Sequence, residues 1–173
     1  IILTFLPILL MQVGKDIMSP HLQEFSHMRI STLDDVEYLA PRLRFDDKQE
    51  ILAAAGLIPV IALRKSFENS QICLTIVNPK DEPVGIFGVV DLGGFIGGIW
   101  MLGTDDLAGI QIAFLKECKK VIQLLNKKYK ILWNFVDCRN QLHIKWLKWC
   151  GFKFINKKNY GVLNKPFYEF IRI

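Results

Sequence analysis

The sequence has no arrangement of cysteine and histidine that is typical of a metal site or a disulfide framework. Its four cysteines lie far apart in the chain, and neither a CxxC pair nor an HxxxH companion is present. Each cysteine falls within an apolar stretch, where it acts as a small hydrophobic residue. We therefore predict no metal ligands, and reduced thiols in a cytoplasmic protein.

An apolar run long enough to cross a membrane is also missing from the sequence. The opening stretch IILTFLPILL has ten residues, contains Pro7, and lacks both a basic flank before it and a small-residue cleavage signal after it. We expect no membrane partner, and we expect residues 1–27 to be an extension outside the domain, with Met28 as the natural start. A membrane anchor or signal remnant is the alternative interpretation of this stretch.

Internal repeats, low-complexity segments and linkers are absent as well, so the chain offers no boundary between two domains. Its 173 residues suffice for one core, and 51% of them are hydrophobic, which excludes a disordered or fibrous protein. We predict a single domain over residues 28–173.

Acidic residues are scarce in the last third of the chain. Residues 116–173 carry 14 Lys/Arg against 3 Asp/Glu, a net charge of +11, whereas residues 1–115 carry 8 against 14, a net charge of −6. Such a basic half attracts acidic partners, of which a protein with an acidic surface is our first expectation and nucleic acid a less favoured one. A solvated surface without a partner explains the same charges.

Hydrophobic periodicity and turn residues predict the order of the elements. A short strand from Met28 is followed by two or three helices. Thr32 or Asp34 is expected to cap the first of them, and Pro59 to begin the last. Three antiparallel strands are then expected between 72 and 102. A long helix is expected from Asp105 to Tyr129. The remaining pattern is strand, helix, a strand at 153–155, a loop at 156–164, and a final strand at 167–173. This alternation predicts an α/β (α+β) fold with a mixed, mostly antiparallel sheet and flanking helices.

The stretch ILWNFVDCRNQLHIKWLKWCGF, residues 131–152, reads as a buried strand, a polar turn, a helix and a glycine stop. Asn140 stands where a helix cap is expected. A stripe that we expect to be buried recurs at helical spacing in Leu142, Trp146, Trp149 and Cys150. His143 is expected to be a packed or partly exposed histidine rather than a catalytic base.

This stretch resembles the NxxAxxLYxxxGF pattern of the Gcn5-related N-acetyltransferases (GNAT family), with Asn140, Gly151 and Phe152 in register. Together with GVVDLGGFIGGIWMLGTDDL and the closing KPFYEFIRI, it resembles more closely a GNAT-like family of small proteins from short-tailed podovirus phages. That family is associated with assembly of the internal proteins of the virion. The resemblance runs from about Met28 to Ile173 and implies the acyl-CoA N-acyltransferase fold.

The GNAT resemblance implies an acetyl-CoA site at the start of the helix after the fourth strand, where free amides favour a pyrophosphate. The residues that it assigns to the cofactor are Leu102, Thr104, Leu107, Ala108, Gly109 and Asn140. The family's Q/RxxGxG/A turn is replaced here by Gly103-Thr104-Asp105-Asp106-Leu107-Ala108-Gly109, which has two carboxylates and no basic residue. Carboxylates compete with phosphate for the same amides, and Asp105 and Asp106 are also explained as helix caps.

The resemblance also implies a tyrosine that protonates the leaving thiolate, but its position is occupied by Leu147. Tyr129, Tyr160 or Tyr168 could replace it, and Tyr168 is our candidate. Asp91 and Asp137 stand at strand ends and are candidate general bases, although both residues are also common in turns.

Two functions therefore remain open from the sequence. The first is a phage-encoded assembly factor for internal virion proteins that has a degenerate or weak acetyl-CoA site. It would be found in the cytoplasm of the infected host cell or with the virion, and would bind a virion or host protein with an acidic surface. The alternative is an active N-acetyltransferase that moves the acetyl group of acetyl-CoA to an amine.

Overall fold

The computed structural model describes residues 24–173, except for the side chains of residues 111–113. Seven strands are present in this range: β1 (Met28–Ile30), β2 (Ile72–Val77), β3 (Pro83–Asp91), β4 (Ile96–Gly103), β5 (Ile131–Asp137), β6 (Lys153–Tyr160) and β7 (Lys165–Arg172). They form one sheet in the order β1-β2-β3-β4-β5-β7-β6. Only β4 and β5 pair in parallel, and every other neighbouring pair is antiparallel. The predicted mixed α/β architecture is confirmed.

Five α-helices flank the sheet: α1 (Leu33–Leu39), α2 (Phe45–Ala55), α3 (Pro59–Asn69), α4 (Gln111–Lys128) and α5 (Gln141–Trp149). Short 3₁₀ turns stand at Ala40–Arg42 and Asp105–Ile110. Among residues 24–173, no helix is both long and apolar enough to cross a lipid bilayer.

Local sequence signals account for the ends of the first three helices. Thr32 caps α1 by accepting from the amide of Asp35, whose carboxylate accepts from the amide of Thr32 in return. Gly56 ends α2 with φ of 66°, a left-handed conformation that glycine adopts without the cost of a Cβ clash. Pro59 is the first residue of α3. These ends agree with the sequence predictions.

Each face of the sheet carries its own layer of helices and buried side chains. Helices α4 and α5 cover one face, where the buried residues include Leu74, Phe87, Ile99, Val121, Leu132 and Phe170. Helices α1 to α3 cover the other face, where they include Val36, Leu39, Ile51, Leu63, Ile86 and Leu102. The core therefore consists of two apolar layers separated by the sheet.

Three predictions from periodicity are wrong in detail. The helix expected from Asp105 begins as an α-helix only at Gln111, after the 3₁₀ turn. The loop expected at 156–164 is a strand as far as Tyr160, because β6 pairs with β7 along its whole length. In α5 the buried residues are His143, Ile144 and Leu147, while Leu142 and Trp149 are 46% and 50% exposed.

The N-terminal extension predicted at residues 1–27, including IILTFLPILL, lies outside the described residues as far as residue 23. Residues 24–27 are described and contact the domain. Phe25 is buried in the same apolar layer as Met28. The amides of Ser26 and His27 donate to the Glu117 carboxylate on α4, and the His27 carbonyl accepts from the amide of Val77.

Candidate functional site

The gap between the two parallel strands forms the centre of the site. Strands β4 and β5 pair only where Ile96–Gly98 meets Ile131–Trp133, yet they continue to Gly103 and Asp137. Their carboxyl ends therefore have unpaired edges that face each other. In open α/β sheets, ligands bind at the carboxyl ends of strands where neighbouring strands part.

Asn134 closes the deepest part of this gap. Its side-chain amide nitrogen donates to the Ile99 carbonyl of β4 at 2.8 Å, and its oxygen accepts from the amide of Phe135 at 2.8 Å. A cavity of about 30 Å³ remains beside it, lined from both faces of the sheet by residues such as Trp100, Met101 and Val136. That volume holds about one or two water molecules.

Carboxylates of α2 occupy the outer part of the gap. Asp47 accepts from the amide of Gly103, the last residue of β4, at 2.8 Å, and Glu50 accepts from the amide of Asp137, the last residue of β5, at 3.3 Å. Because Asp47 and Glu50 are three residues apart, they lie on one side of the helix. The Arg44 amide completes the contact by donating to the Gly103 carbonyl at 2.9 Å. The chain thus uses backbone groups that an extended ligand would otherwise bind.

A buried polar network extends from these carboxylates to α5. Arg44 forms an ion pair with Asp47 at 2.9 Å, and the Asn140 side-chain nitrogen donates to Asp47 and Glu50, each at 3.0 Å. Asn140 also caps α5 through the amide of His143. The side chains of Asp47, Asn140, Arg44 and His143 are almost fully buried, so their hydrogen bonds rigidify the site.

His143 is the neutral member of this network. Burial lowers the pKa of its imidazole, and the Arg44 guanidinium lowers it further, whereas Asp47 acts in the opposite direction. Nε2 lies 2.8 Å from the Arg44 guanidinium, which can only donate. Nε2 therefore accepts from Arg44, and Nδ1 lies 3.1 Å from the Asn140 side-chain nitrogen. As predicted, this histidine is a packed residue.

Glu50 is the titratable group of the site that sequence reasoning missed. Burial raises the pKa of its carboxyl to about 7, and the neighbouring Asp47 carboxylate acts in the same direction. Hydrogen bonds from Asn140 and from the Asp137 amide oppose the shift. The signal available in the sequence was the three-residue spacing of two acids on a helix. This spacing is common on solvated surfaces and therefore did not indicate a buried pair.

A second and larger cavity of about 380 Å³ lies between the start of α4 and the helix α5. Its wall is mainly apolar, including Met101, Leu107, Phe114, Leu142, Trp146 and Trp149. Thr104 Oγ1 and Trp146 Nε1 are buried at this wall without a hydrogen-bond partner among the described residues. A volume of this size is typical of small-molecule sites, and the two polar atoms could fix a ligand's orientation.

The turn that the GNAT resemblance assigns to pyrophosphate differs from a helix start. Residues Asp105–Ile110 form the 3₁₀ turn, in which the Leu107 amide donates to the Thr104 carbonyl at 3.3 Å. Asp105 and Asp106 are exposed at its beginning, and Gly109 is exposed near its end. The amides predicted to hold the cofactor thus precede the α-helix rather than open it, and two carboxylates stand beside them.

Five of the six predicted cofactor residues fall into three groups in the structure, and the sixth, Gly109, is exposed and lines neither cavity. Thr104, Leu107 and Ala108 line the larger cavity. Leu102 is buried on the opposite face of the sheet, against the layer of α1 to α3, and Asn140 belongs to the polar network. The structure brings the first group together and separates Leu102 from it.

The structure separates Asp91 from the other two predicted catalytic residues, Asp137 and Tyr168, which lie one register position apart on the paired strands β5 and β7. Asp137 accepts two hydrogen bonds from the Arg139 guanidinium at its Oδ2, the shorter of 2.6 Å, so its carboxylate is already paired. Asp91 pairs with Gly97 at the amino end of β4, so it lies at the opposite end of this strand from the site. Tyr168 lies on β7 with its ring against Phe154 at 5.4 Å, and it lines neither cavity.

Comparison with known proteins gives a family match and a set of similar structures. The family model described as "Bacteriophage T7, probable scaffold protein Gp13" matches residues 87–159, which is less than half of the chain and runs from β3 to β6. Comparison with curated protein sequences finds no match.

Solved structures similar to this chain include several acetyltransferases. Ribosomal-protein-alanine N-acetyltransferase from Brucella melitensis has a TM-score of 0.64 at 14% identity, over 84% of this chain and 98% of that one. A GNAT-family acetyltransferase from Bacillus anthracis has a TM-score of 0.63 at 11% identity, over 84% and 93%. The chain has the GNAT fold. The aminoglycoside enzyme AAC(6')-Ib, solved with ribostamycin and coenzyme A, has a TM-score of 0.61 at 13% identity, over 84% and 92%. At these identities the likeness concerns the fold alone.

Proposed function

We propose that this GNAT-fold protein acts in the assembly of a phage particle and that its acetyl-CoA site is degenerate. The match of residues 87–159 to the probable scaffold protein family supports the assembly role. The resemblance to podovirus proteins makes internal virion proteins the expected partners, in the cytoplasm of the infected cell or within the particle. A partner with an acidic surface fits the net charge of +11 after residue 115.

One observation carries the proposal of a degenerate site. Asp47 and Glu50 occupy backbone donors at the open ends of β4 and β5, and Asn134 fills the gap behind them. An extended cofactor that lay between these strands would have to displace the buried side chains of Asp47 and Asn134, and the partly buried Glu50, from their hydrogen bonds. Removing a partner from a buried polar group costs about 1–3 kcal/mol for each group left unsatisfied, and more for charged ones.

The residues that catalysis would need are also replaced by residues of other chemistry. The position expected to hold a thiolate-protonating tyrosine is the buried Leu147, and Asp105 and Asp106 belong to the turn expected to hold a pyrophosphate. A side chain without an ionisable proton cannot act as an acid. These features support a slow or inactive enzyme.

Calorimetric titration with acetyl-CoA, together with a thiol-release assay on a panel of amines, tests the degenerate site. We expect no saturable heat in the micromolar range and no thiol release above the rate without protein. Micromolar binding with steady release would make the protein an acetyltransferase and end this part of the proposal.

The composition of assembled particles tests the assembly role. In a phage or prophage that encodes the protein, we expect loss of the gene to give particles that lack one or more internal proteins, as measured by quantitative mass spectrometry. A plasmid copy should restore them. Particles of unchanged composition and infectivity would refute the assembly role whatever the cofactor titration shows.

An active N-acetyltransferase is the second candidate, and two observations favour it. The cavity of about 380 Å³ beside Thr104 and Trp146 is large enough for part of a cofactor, and Glu50 has a carboxyl pKa raised to about 7, which suits a general base. If thiol release is found, Glu50→Gln should abolish its rise with pH near 7. An unchanged pH profile would exclude Glu50 as the base.

A further inference from the structure

Strand β6 forms one edge of the sheet and leaves half of its backbone groups without partners. It pairs with β7 on one side, and among the described residues no backbone hydrogen bond joins Lys153–Tyr160 to any other element. Eight residues at about 3.3 Å each give an edge of about 26 Å. Such an edge is a template for another strand.

The side chains of β6 present positive charge on both faces of this edge. Lys157 is cross-strand from Tyr168 and lies over its ring at 5.6 Å. Lys158 points to the opposite face and lies over the Phe135 ring at 4.8 Å. Lys153, Lys157 and Lys158 are all exposed. A strand added at this edge would place its alternate side chains beside lysines on either face.

Helix α5 extends the positive surface on the Lys157 face. Lys148 lies over the ring of Phe154, a β6 residue, at 5.9 Å. Lys145 and Lys148 have no carboxylate within ion-pair distance among the described residues, and on β6 only Lys158 approaches one, at 3.9 Å from Glu169. The charge at this edge is therefore largely uncompensated.

The three acidic residues after position 115 do not neutralise this surface. Glu117 accepts from His27 and Asp137 from Arg139, while Glu169 accepts from the Trp133 indole at 2.8 Å as well as facing Lys158. A carboxylate-bearing partner would thus find lysines that no carboxylate within residues 24–173 neutralises. Since lysines repel one another, the same edge disfavours pairing with a second copy of β6.

We propose that the β6 edge binds an extended, acidic segment of a partner protein, which adds to the sheet as an eighth strand. The outward backbone groups alternate between donors and acceptors, and a polypeptide matches both, whereas a nucleic acid backbone offers phosphate acceptors only. Lysines also lie over the Phe154 and Tyr168 rings, so a base that stacked there would have to displace them. The proposal rests on the assembly role only in supposing that the partner is a protein.

Fluorescence anisotropy with a labelled peptide of four Glu-Val repeats tests this surface on the full chain. We expect saturable binding that weakens at least tenfold in Lys157→Glu/Lys158→Glu. The matched control Lys80→Glu/Lys120→Glu makes the same charge change at exposed positions away from β6, and its affinity should stay within twofold of the wild type. An equal loss of peptide affinity in both double variants would show that binding depends only on net charge, and it would overturn the proposal.

A second peptide separates strand addition from simple attraction. Replacing a central valine by proline removes a backbone donor and keeps the charge, so we expect a clear loss of affinity. Hydrogen exchange should show amides of Lys153–Tyr160 protected by the first peptide and not by the second. Equal binding of the two peptides, protection confined to other elements, or full displacement by an equimolar oligothymidylate would each refute the proposal. Particle composition tests the assembly role without reference to β6, so the two can fail separately.

Discussion

Asp47 is the residue on which the polar network at the end of β4 depends. With no exposed surface, it accepts from Arg44, from the Gly103 amide and from Asn140. Removing one partner of a buried ion pair leaves the other charge without compensation, which costs about 3–5 kcal/mol.

Asp47→Ala should therefore lower the free energy of unfolding by about 3–5 kcal/mol in urea denaturation. The adjacent Asp46→Ala is the control, because Asp46 is exposed and should change stability by no more than about 0.5 kcal/mol. Similar values for the two variants would contradict the buried network.

Glu50 should make the stability of the protein depend on pH between about 4.5 and about 7. Burial raises its folded-state pKa, so the folded protein holds this proton more tightly than the unfolded chain does. Stability is then greatest below the unfolded pKa and falls as the pH rises through this window.

Glu50→Gln should remove this part of the pH dependence and raise the melting temperature above pH 7 relative to the wild type. The exposed Glu68→Gln variant should keep the wild-type slope. Melting temperatures measured from pH 5 to pH 8 would count against the assignment if the Glu50→Gln slope equalled that of the wild type.

The short segment before β1 acts as part of the core rather than as a tail. Phe25 is 6% exposed and packs in the α4–α5 layer, so Phe25→Ala should cost about 3–5 kcal/mol. Phe45→Ala, at a side chain that is 71% exposed, should be neutral to within about 0.5 kcal/mol. Denaturant unfolding in which Phe25→Ala is also neutral would show that the domain begins after this residue.

The β6–β7 hairpin tip packs on the carboxyl end of α2 through Gly161. Its φ is 75°, and a Cβ there would lie 2.4 Å from the Ala53 carbonyl oxygen. Val162 and Leu163 donate their amides to the Ala54 and Ala53 carbonyls, which are among the last of the helix.

Gly161→Ala should therefore destabilise the protein by about 2 kcal/mol more than Gly93→Ala. Gly93 has a similar φ of 81° with nothing within 4 Å of the added Cβ, so the pair isolates the steric contact from the backbone strain. Equal losses of stability in the two variants, measured by thermal unfolding, would mean that the hairpin tip can move away from α2 with little loss of free energy.

At the scale of the molecule, the chain combines an acidic first part with a basic last third, −6 against +11. We expect the whole protein to bind polyglutamate and to release it as salt is added, because the Debye length shrinks from about 10 Å at 0.1 M to about 3 Å at 1 M. Polylysine is the matched control and should not bind. Light scattering measures this association, and a complex with polyglutamate that persists unchanged at about 1 M salt would contradict the expectation.

The sequence by itself determined the features that depend on neighbouring residues. Thr32, Gly56, Pro59 and Gly151 mark helix ends because capping and left-handed backbone involve atoms only a few residues apart. The order of strands and helices followed from periodicity for the same reason. The mixed α/β architecture was therefore predictable, whereas the GNAT fold was implied by the resemblance of residues 131–152 to the family motif, and the structural comparisons confirm it.

Only the tertiary structure decided which face of α5 is buried, how far β6 extends and what fills the gap between β4 and β5. Each depends on residues distant in the chain: β6 is a strand because it pairs with β7, and Asn140 meets Asp47 across 93 positions. Local propensity carries no information about such partners, since tertiary packing overrides it. The position of Asp47 and Glu50 in the gap between β4 and β5 is of this kind, because an acidic pair on a helix is typical in sequence of a solvated surface.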